Sequence, residues 1–237
     1  MKITAICGAT AAICILALVL GAGCTTDRQQ EIAQPGGTAG ENSYTTVLDA
    51  GALDARLEQY PVSALSAAEA LDILYMQEEE KLARDVYRVF SDAWGMQIFN
   101  NIGDAEQTHL DSVTVLIDRY GLDGASATAA PGVFDHAELQ ALYDDLTETG
   151  QRSPEDAIRA AALVEETDIV DLRDAMSRTD KEDVRYVYDN LKRGSENHLR
   201  AFVRILEQQG GSYAPVILTP AEYTEIITTA VRPGGFT

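Results

Sequence analysis

The amino-acid sequence predicts an all-α protein: four long helices packed as a bundle, one long connection between the second and third, and a short C-terminal helix. Three observations predict it. Apolar residues recur at steps of three and four along four long stretches, and no stretch keeps the strand period over a useful length. Helix-start chemistry stands at the head of most of these stretches. Glycines stand where they end. The 237 residues, 46% hydrophobic and 24% charged, fit one ordinary domain with flanking segments.

Residues 1–24 read as an export signal. Lys2 precedes an apolar run from about Ile3 to Gly23, and small residues close it. The ending Gly21-Ala22-Gly23-Cys24 resembles the lipobox of a prokaryotic lipoprotein, in which the cysteine is lipidated and becomes the new N-terminus. The large aliphatic residue preferred there stands at Leu20, one place early. The run is also long enough to cross a bilayer uncleaved. On either reading the rest of the chain is expected outside the cytoplasm and held at the cell membrane, in the first case by a lipid anchor on Cys24. Thr25 to about Tyr44 is polar, with Gln29-Gln30 and Pro35-Gly36-Gly37, and reads as a flexible tether. Residues 43–63 hold apolar side chains without a sustained period, so an irregular lead-in completes the segment 25–63.

The bundle is expected over 64–210. Ser66 with Glu69, Thr179 with Glu182 and Thr219 with Glu222 have capping-box spacing. Ser153-Pro154-Glu155-Asp156 is an N-cap, a proline at the first helical position and two acids in the first turn. Gly95, Gly121 and Gly210-Gly211 stand where C-cap glycines do. Long helices are therefore expected at about 66–92, 97–120, 154–177 and 180–209. A short helix near 135–148 lies in the long connection, after a loop at 121–134, and a last one follows Thr219 in a C-terminal extension, 211–237.

Polar residues interrupt the apolar stripes at matching heights. In the second long helix Glu106 and His109 sit among Phe99, Ile102, Val113 and Leu116. One turn apart, they point the same way. Burying both without a partner costs on the order of several kcal/mol, which a shared cation offsets. The first stripe, with Ile73, Met76, Tyr87 and Phe90, carries Glu80; a rotation of the helix would exchange it for Glu78 or Glu79. The third, with Ile158, Ala162, Ile169 and Leu172, carries Glu165, and Asp168 follows one turn on. Glu166 falls in line with Arg159 and Arg173 and is expected to face outward. The fourth, with Val187, Leu191, Ser195 and Phe202, carries His198, with Glu196 off the stripe.

This is the plan of dinuclear carboxylate centres in bundles. The expected ligands are Glu80, Glu106, His109, Glu165, His198 and Asp168. Cys7, Cys14 and Cys24 all lie in the first 24 residues, so the rest of the chain has neither a disulfide nor a thiolate site. Oxygen and nitrogen donors suit iron or manganese, with zinc as the remaining alternative. Arg84 reads as an ion-pair partner of Glu80, Tyr87 and Tyr188 as packing near the site, and His136 as structural or exposed.

Glu80-Lys81-Leu82-Ala83-Arg84-Asp85-Val86-Tyr87 resembles the first-helix motif of rubrerythrin-type proteins, and Glu106-Gln107-Thr108-His109 resembles their Glu-x-x-His. The wider stretch from Leu65 to Tyr223 resembles an uncharacterised archaeal and bacterial ferritin-like family, a domain of unknown function. Its pieces here are Tyr75-Met76-Gln77-Glu78-Glu79 leading into the first motif, Glu165-Glu166-Thr167-Asp168-Ile169, and Asn197-His198-Leu199-Arg200-Ala201-Phe202. The resemblance implies a ferritin-like fold and a dinuclear metal site, and no particular reaction. The sequence departs from the dinuclear pattern at Ser195, three residues before His198, where a carboxylate belongs. Asp168 or a water could fill that place, or the site holds one metal or none.

A formal charge of -20 makes nucleic acid and anionic membrane surfaces poor direct partners. No nucleophile elbow, phosphate loop or dinucleotide fingerprint is present. Three functions fit: a redox enzyme acting on peroxide or oxygen, a metal-binding protein for storage or sensing without turnover, and a metal-free tethered interaction module. A homodimer is compatible with each.

Overall fold

The computed structural model describes residues 50–124 and 129–231, and among these the chain forms seven helices and no strand. The export signal, the tether and the lead-in up to residue 49 lie outside the described residues. No helix among the described residues is long and apolar enough to cross a membrane.

The first helix, α1 (Ala50–Leu57), stands where the sequence predicts an irregular lead-in. Its apolar signal is one pair, Leu53 and Leu57, a turn apart and too short to show a period. Both are fully buried in a cluster with Val113, Leu116 and Ile117 of the third helix. Tertiary packing, not local pattern, makes this helix.

The four long helices follow the predicted boundaries closely: α2 (Ala67–Trp94), α3 (Gln97–Tyr120), α5 (Pro154–Arg178) and α6 (Glu182–Gln208), with α4 (Ala137–Gly150) in the long connection and α7 (Pro220–Thr228) at the end. Ser66 and Thr219 each form a full capping box, with Glu69 and Glu222. Ser153 caps α5 by accepting from the amide of Asp156 at 3.1 Å. Gly95, Gly121 and Gly210 take left-handed backbone angles, with φ of 61°, 64° and 82°, where a side chain would be strained.

Thr179 is the exception. It ends α5, and α6 begins only after Lys181. Its hydroxyl donates to Oε1 of Glu69 at 2.6 Å and accepts from the amide of Lys181 at 3.1 Å. The oxygen thus accepts from the amide two residues on, and the N-cap of the helix is Lys181, two residues later than the capping-box spacing requires.

Helix α2 packs on α3 and α5, and α6 packs on α5 and α3, so the four long helices close a ring. Two apolar clusters fill it. One holds Ile73, Met76, Val113, Leu172, Val187 and Leu191; the other holds Phe90, Phe99, Ile102, Ile158, Phe202 and Leu206. Along each long helix the change from one cluster to the other falls near the predicted polar residues. A polar layer thus crosses the middle of an apolar interior.

Two further buried acids tie down the connections. Asp85 accepts from Nζ of buried Lys81 at 2.9 Å and from the amide of Gly132 at 3.0 Å, and Lys81 also donates to the carbonyls of Ala130 and Val133. Arg84 pairs with Asp85 and Gln107, not with Glu80 as the sequence suggests. Glu166, expected to face outward, is 0% exposed. It accepts from the hydroxyl of Tyr213 at 2.5 Å and from the amides of Val216, Ile217 and Leu218. The segment leading to α7 covers that face of α5, which no reading of α5 alone reveals.

Candidate metal centre

Glu106 and His109 of α3, Glu80 of α2, Glu165 of α5 and His198 of α6 meet in the polar layer, and none is more than 1% exposed. Nδ1 of His109 lies 2.7 Å from Oε2 of Glu106 and 3.3 Å from Oε2 of Glu80. Nδ1 of His198 lies 2.8 Å from Oε1 of Glu106 and 3.5 Å from Oε2 of Glu165. The two imidazoles face each other, with ring centroids 5.4 Å apart and planes inclined by 21°. The donors form two triads, Glu80–Glu106–His109 and Glu106–Glu165–His198, each with its three ligand atoms within 4.8 Å of one another. Glu106 belongs to both and turns one oxygen to each imidazole.

These contacts are short, but they are not aligned as ordinary hydrogen bonds. Both ring nitrogens of His109 and of His198 lack a hydrogen-bond partner, as do Oε1 of Glu80, Oε1 of Glu106 and Oδ1 of Asp168. A buried polar atom left unpaired costs about 1–3 kcal/mol. Donor atoms this close to one another could share a cation. Carboxylate oxygens and imidazole nitrogens without sulfur fit iron, manganese or zinc. The residues present therefore fit a metal ion, and Glu106 belongs to both groups.

The electrostatics agree. Burial raises the carboxyl of Glu165 to about 7, and the charge of Glu106 adds to it. Burial and then Glu80 push Asp168 well above the usual range, and burial likewise raises Glu80. For Glu106 burial acts upward too, but His198 and His109 outweigh it and hold the group below its ordinary value. Burial pulls both histidines down, yet the facing glutamates win: His109 is held well above its ordinary value and His198 at about 9. In the metal-free cluster protonated imidazoles neutralise the glutamates. A divalent cation can do the same while releasing those protons.

The surroundings fix the donors. Tyr87 donates from its hydroxyl to Oε1 of Glu165 at 2.5 Å. Ser195, which stands where a carboxylate is missing, donates to Oδ2 of Asp168. Asp168 is outside both triads, but it reaches the site from α5 across from that serine. Gly194 lies against the His109 ring: a Cβ there would be 2.5 Å from Nε2 and 2.6 Å from Cε1. Of the three consecutive glutamates on α2, only Glu80 belongs to a triad. Glu78 accepts from the amides of Asp135 and His136 at 3.0 Å each and lies 3.1 Å from Nδ1 of His136, so His136 is structural. The sequence puts Tyr87 near the site only as packing and shows no sign of the role of Gly194, because both roles depend on which helix lies opposite.

Fold and site define a helical domain whose interior holds carboxylate and imidazole groups able to bind a metal. The chain belongs to the family described as an uncharacterized protein domain, DUF2202, which matches residues 69–230. It is 40% identical over 178 residues to the uncharacterized protein MJ0754 of Methanocaldococcus jannaschii, covering 75% of this chain and 96% of the relative. The crystal structure of hypothetical protein MJ0754 is similar to it with a TM-score of 0.71 and 41% identity, covering 73% of this chain and 98% of that one.

Proposed function

We propose that this chain is an exported, membrane-tethered protein whose four long helices form a ferritin-like bundle around a dinuclear iron or manganese site. Its reaction is with peroxide or oxygen. The observation that carries the reading is Glu106, which turns one oxygen to each of two buried imidazoles whose nitrogens have no hydrogen-bond partner. The metal would be held by Glu80, Glu106 and His109 on one side and by Glu106, Glu165 and His198 on the other, with Asp168 nearest the place that Ser195 leaves open. Such ions supply electrons to a small oxidant. The protein's own part is to orient the donors, through Tyr87 on Glu165 and Ser195 on Asp168, and to exclude bulk water by burial. The tether rests on the signal and lipobox-like ending at Cys24.

The complete burial of the donors and the serine at 195 favour a second reading, in which the same site holds metal for storage or sensing without turnover. The test is reconstitution with iron or manganese, elemental analysis, and a peroxide-consumption assay. Close to two equivalents of metal with peroxide consumption supports the first reading. Stoichiometric metal without consumption supports the second. Trace metal in the wild type, equal to that in Glu106→Gln, overturns both. Incorporation of labelled fatty acid that Cys24→Ser abolishes tests the anchor.

A further inference from the structure

A cleft of about 300 Å3 opens between α5, α6 and α7, and it shares no residue with the two triads. That volume is at the small end of ligand clefts, which run from about 300 to 1,000 Å3. Ile169 of α5, Leu218 before α7 and Ile226 of α7 are buried and give the cleft an apolar side. Lys192, Glu196 and Arg200 stand four residues apart on α6 and so share one face of it. Glu196 is 5% exposed and Arg200 8%. Nζ of Lys192 donates to Oε1 of Glu196 at 2.5 Å, and a terminal nitrogen of Arg200 lies 3.8 Å from Oε2. These two cations share one carboxylate, so the three side chains together leave a surplus of positive charge. Arg200 is also fixed in place: its Nε donates to the carbonyl of Ile226 and a terminal nitrogen to Oδ1 of Asn197, both at 2.7 Å.

Helix α7 brings Glu225 to the same cleft. Its carboxylate is exposed and has neither a hydrogen bond nor an ion pair among the described residues. Glu222, one turn earlier, already accepts from Arg173 at 2.7 Å, so that pair cancels. A positive face, a carboxylate without a partner and an apolar side in one small space complement a molecule that carries both charges and a short apolar chain. We propose that this cleft binds a free α-amino acid with an aliphatic side chain. Lys192 and Arg200 receive its carboxylate, Glu225 its ammonium group, and Ile169, Leu218 and Ile226 its side chain. Both charged ends then make charge-assisted hydrogen bonds, and the aliphatic chain leaves water for apolar surface.

Titration calorimetry of the full chain in detergent tests this with L-leucine and three molecules that each lack one of its parts. Isocaproate lacks the ammonium group, isoamylamine the carboxylate, and glycine the side chain. Leucine is expected to bind at least about tenfold more tightly than any of the three. Lys192→Met should weaken leucine by at least about tenfold and leave isoamylamine unchanged. Glu225→Gln should weaken leucine likewise and leave isocaproate unchanged. A melting curve checks that each variant is folded, and the wild-type series decides alone where one is not. Absence of leucine binding at millimolar concentration overturns the proposal. Equal affinity for leucine and isocaproate also overturns it, because the cleft then takes a carboxylate without reading the ammonium group. Leucine binding that neither substitution weakens overturns it too, since the ligand then sits elsewhere.

Discussion

Gly194→Ala sets two effects of opposite sign against each other on one helix. In the interior of α6 alanine is favoured over glycine by about 1 kcal/mol of helix propensity. Against this, the new Cβ would lie 2.5 Å from Nε2 of His109, where ordinary contact begins at 3.4 Å, so the ring must retreat by 3.4 − 2.5 = 0.9 Å. His109 is 0% exposed, so the ring can yield only against buried neighbours. Overpacking of a filled interior costs about 1–3 kcal/mol. The net loss is about 0–2 kcal/mol, or a fall in the metal-free Tm of at most ~8 °C for a domain of this size. The effect on metal is larger. Ligand positions tolerate only about 0.2 Å, so this retreat takes Nδ1 of His109 out of range and lowers affinity at least ~10-fold. Melting curves with and without Mn2+, together with a binding titration, measure both quantities. A higher Tm with unchanged affinity would refute the argument, because it would mean that the ring has space to yield.

Metal affinity should rise with pH. His198 sits at about 9 and Glu165 at about 7 without metal, whereas ligands must be neutral imidazole and ionised carboxylate. Protons therefore leave on binding, and affinity falls as pH is lowered from 9 to 6; calorimetry in buffers of different ionisation enthalpy counts the protons. Tyr87→Phe leaves Oε1 of Glu165 without its donor and should cost about 1–3 kcal/mol of stability with metal stoichiometry retained. Denaturant titration checks it, and an unchanged midpoint counts against the role. Glu166→Ala strips the acceptor from the amides of Val216, Ile217 and Leu218. Their hydrogen-exchange protection should drop at least ~10-fold while the middle of α5 is unaffected.

Much of this molecule is local information. Ser66 and Thr219 cap their helices with partners three residues away, and Gly95, Gly121 and Gly210 stop helices by backbone angle, so all five positions are legible in the sequence. The stripes on α2, α3, α5 and α6 bring out Glu80, Glu106, His109, Glu165 and His198 because polar atoms on an apolar face have no local explanation. What is hidden depends on a distant segment. Thr179 is tied by its hydroxyl to Glu69 on α2 and accepts from the amide of Lys181, and α6 begins beyond it. Glu166 looks solvent-facing on its own helix and is buried by residues some fifty positions later. Two leucines in α1 carry no period, and only α3 explains them. The requirement for glycine at 194 comes wholly from an imidazole on another helix.

Glu78, Glu79, Glu80 and Lys81 are consecutive and all but fully buried, with exposures of 2%, 3%, 1% and 0%. Successive helical residues point about 100° apart, so these four side chains look in every direction around the axis. At this height α2 has no outside. Glu78 needs the start of α4, Lys81 the loop before it, Glu80 the α3 histidine, and Glu79 faces α5. No subset of these neighbours accommodates all four charges, and one stranded in an apolar interior costs several kcal/mol, on the order of the whole stability of a domain. These four side chains are therefore all buried only when α2, α3, α5 and the connection around α4 are together. One turn of helix thus joins the candidate metal site, through Glu80, to the connection around α4, through Glu78 and Lys81, so that disturbing either is felt at the other.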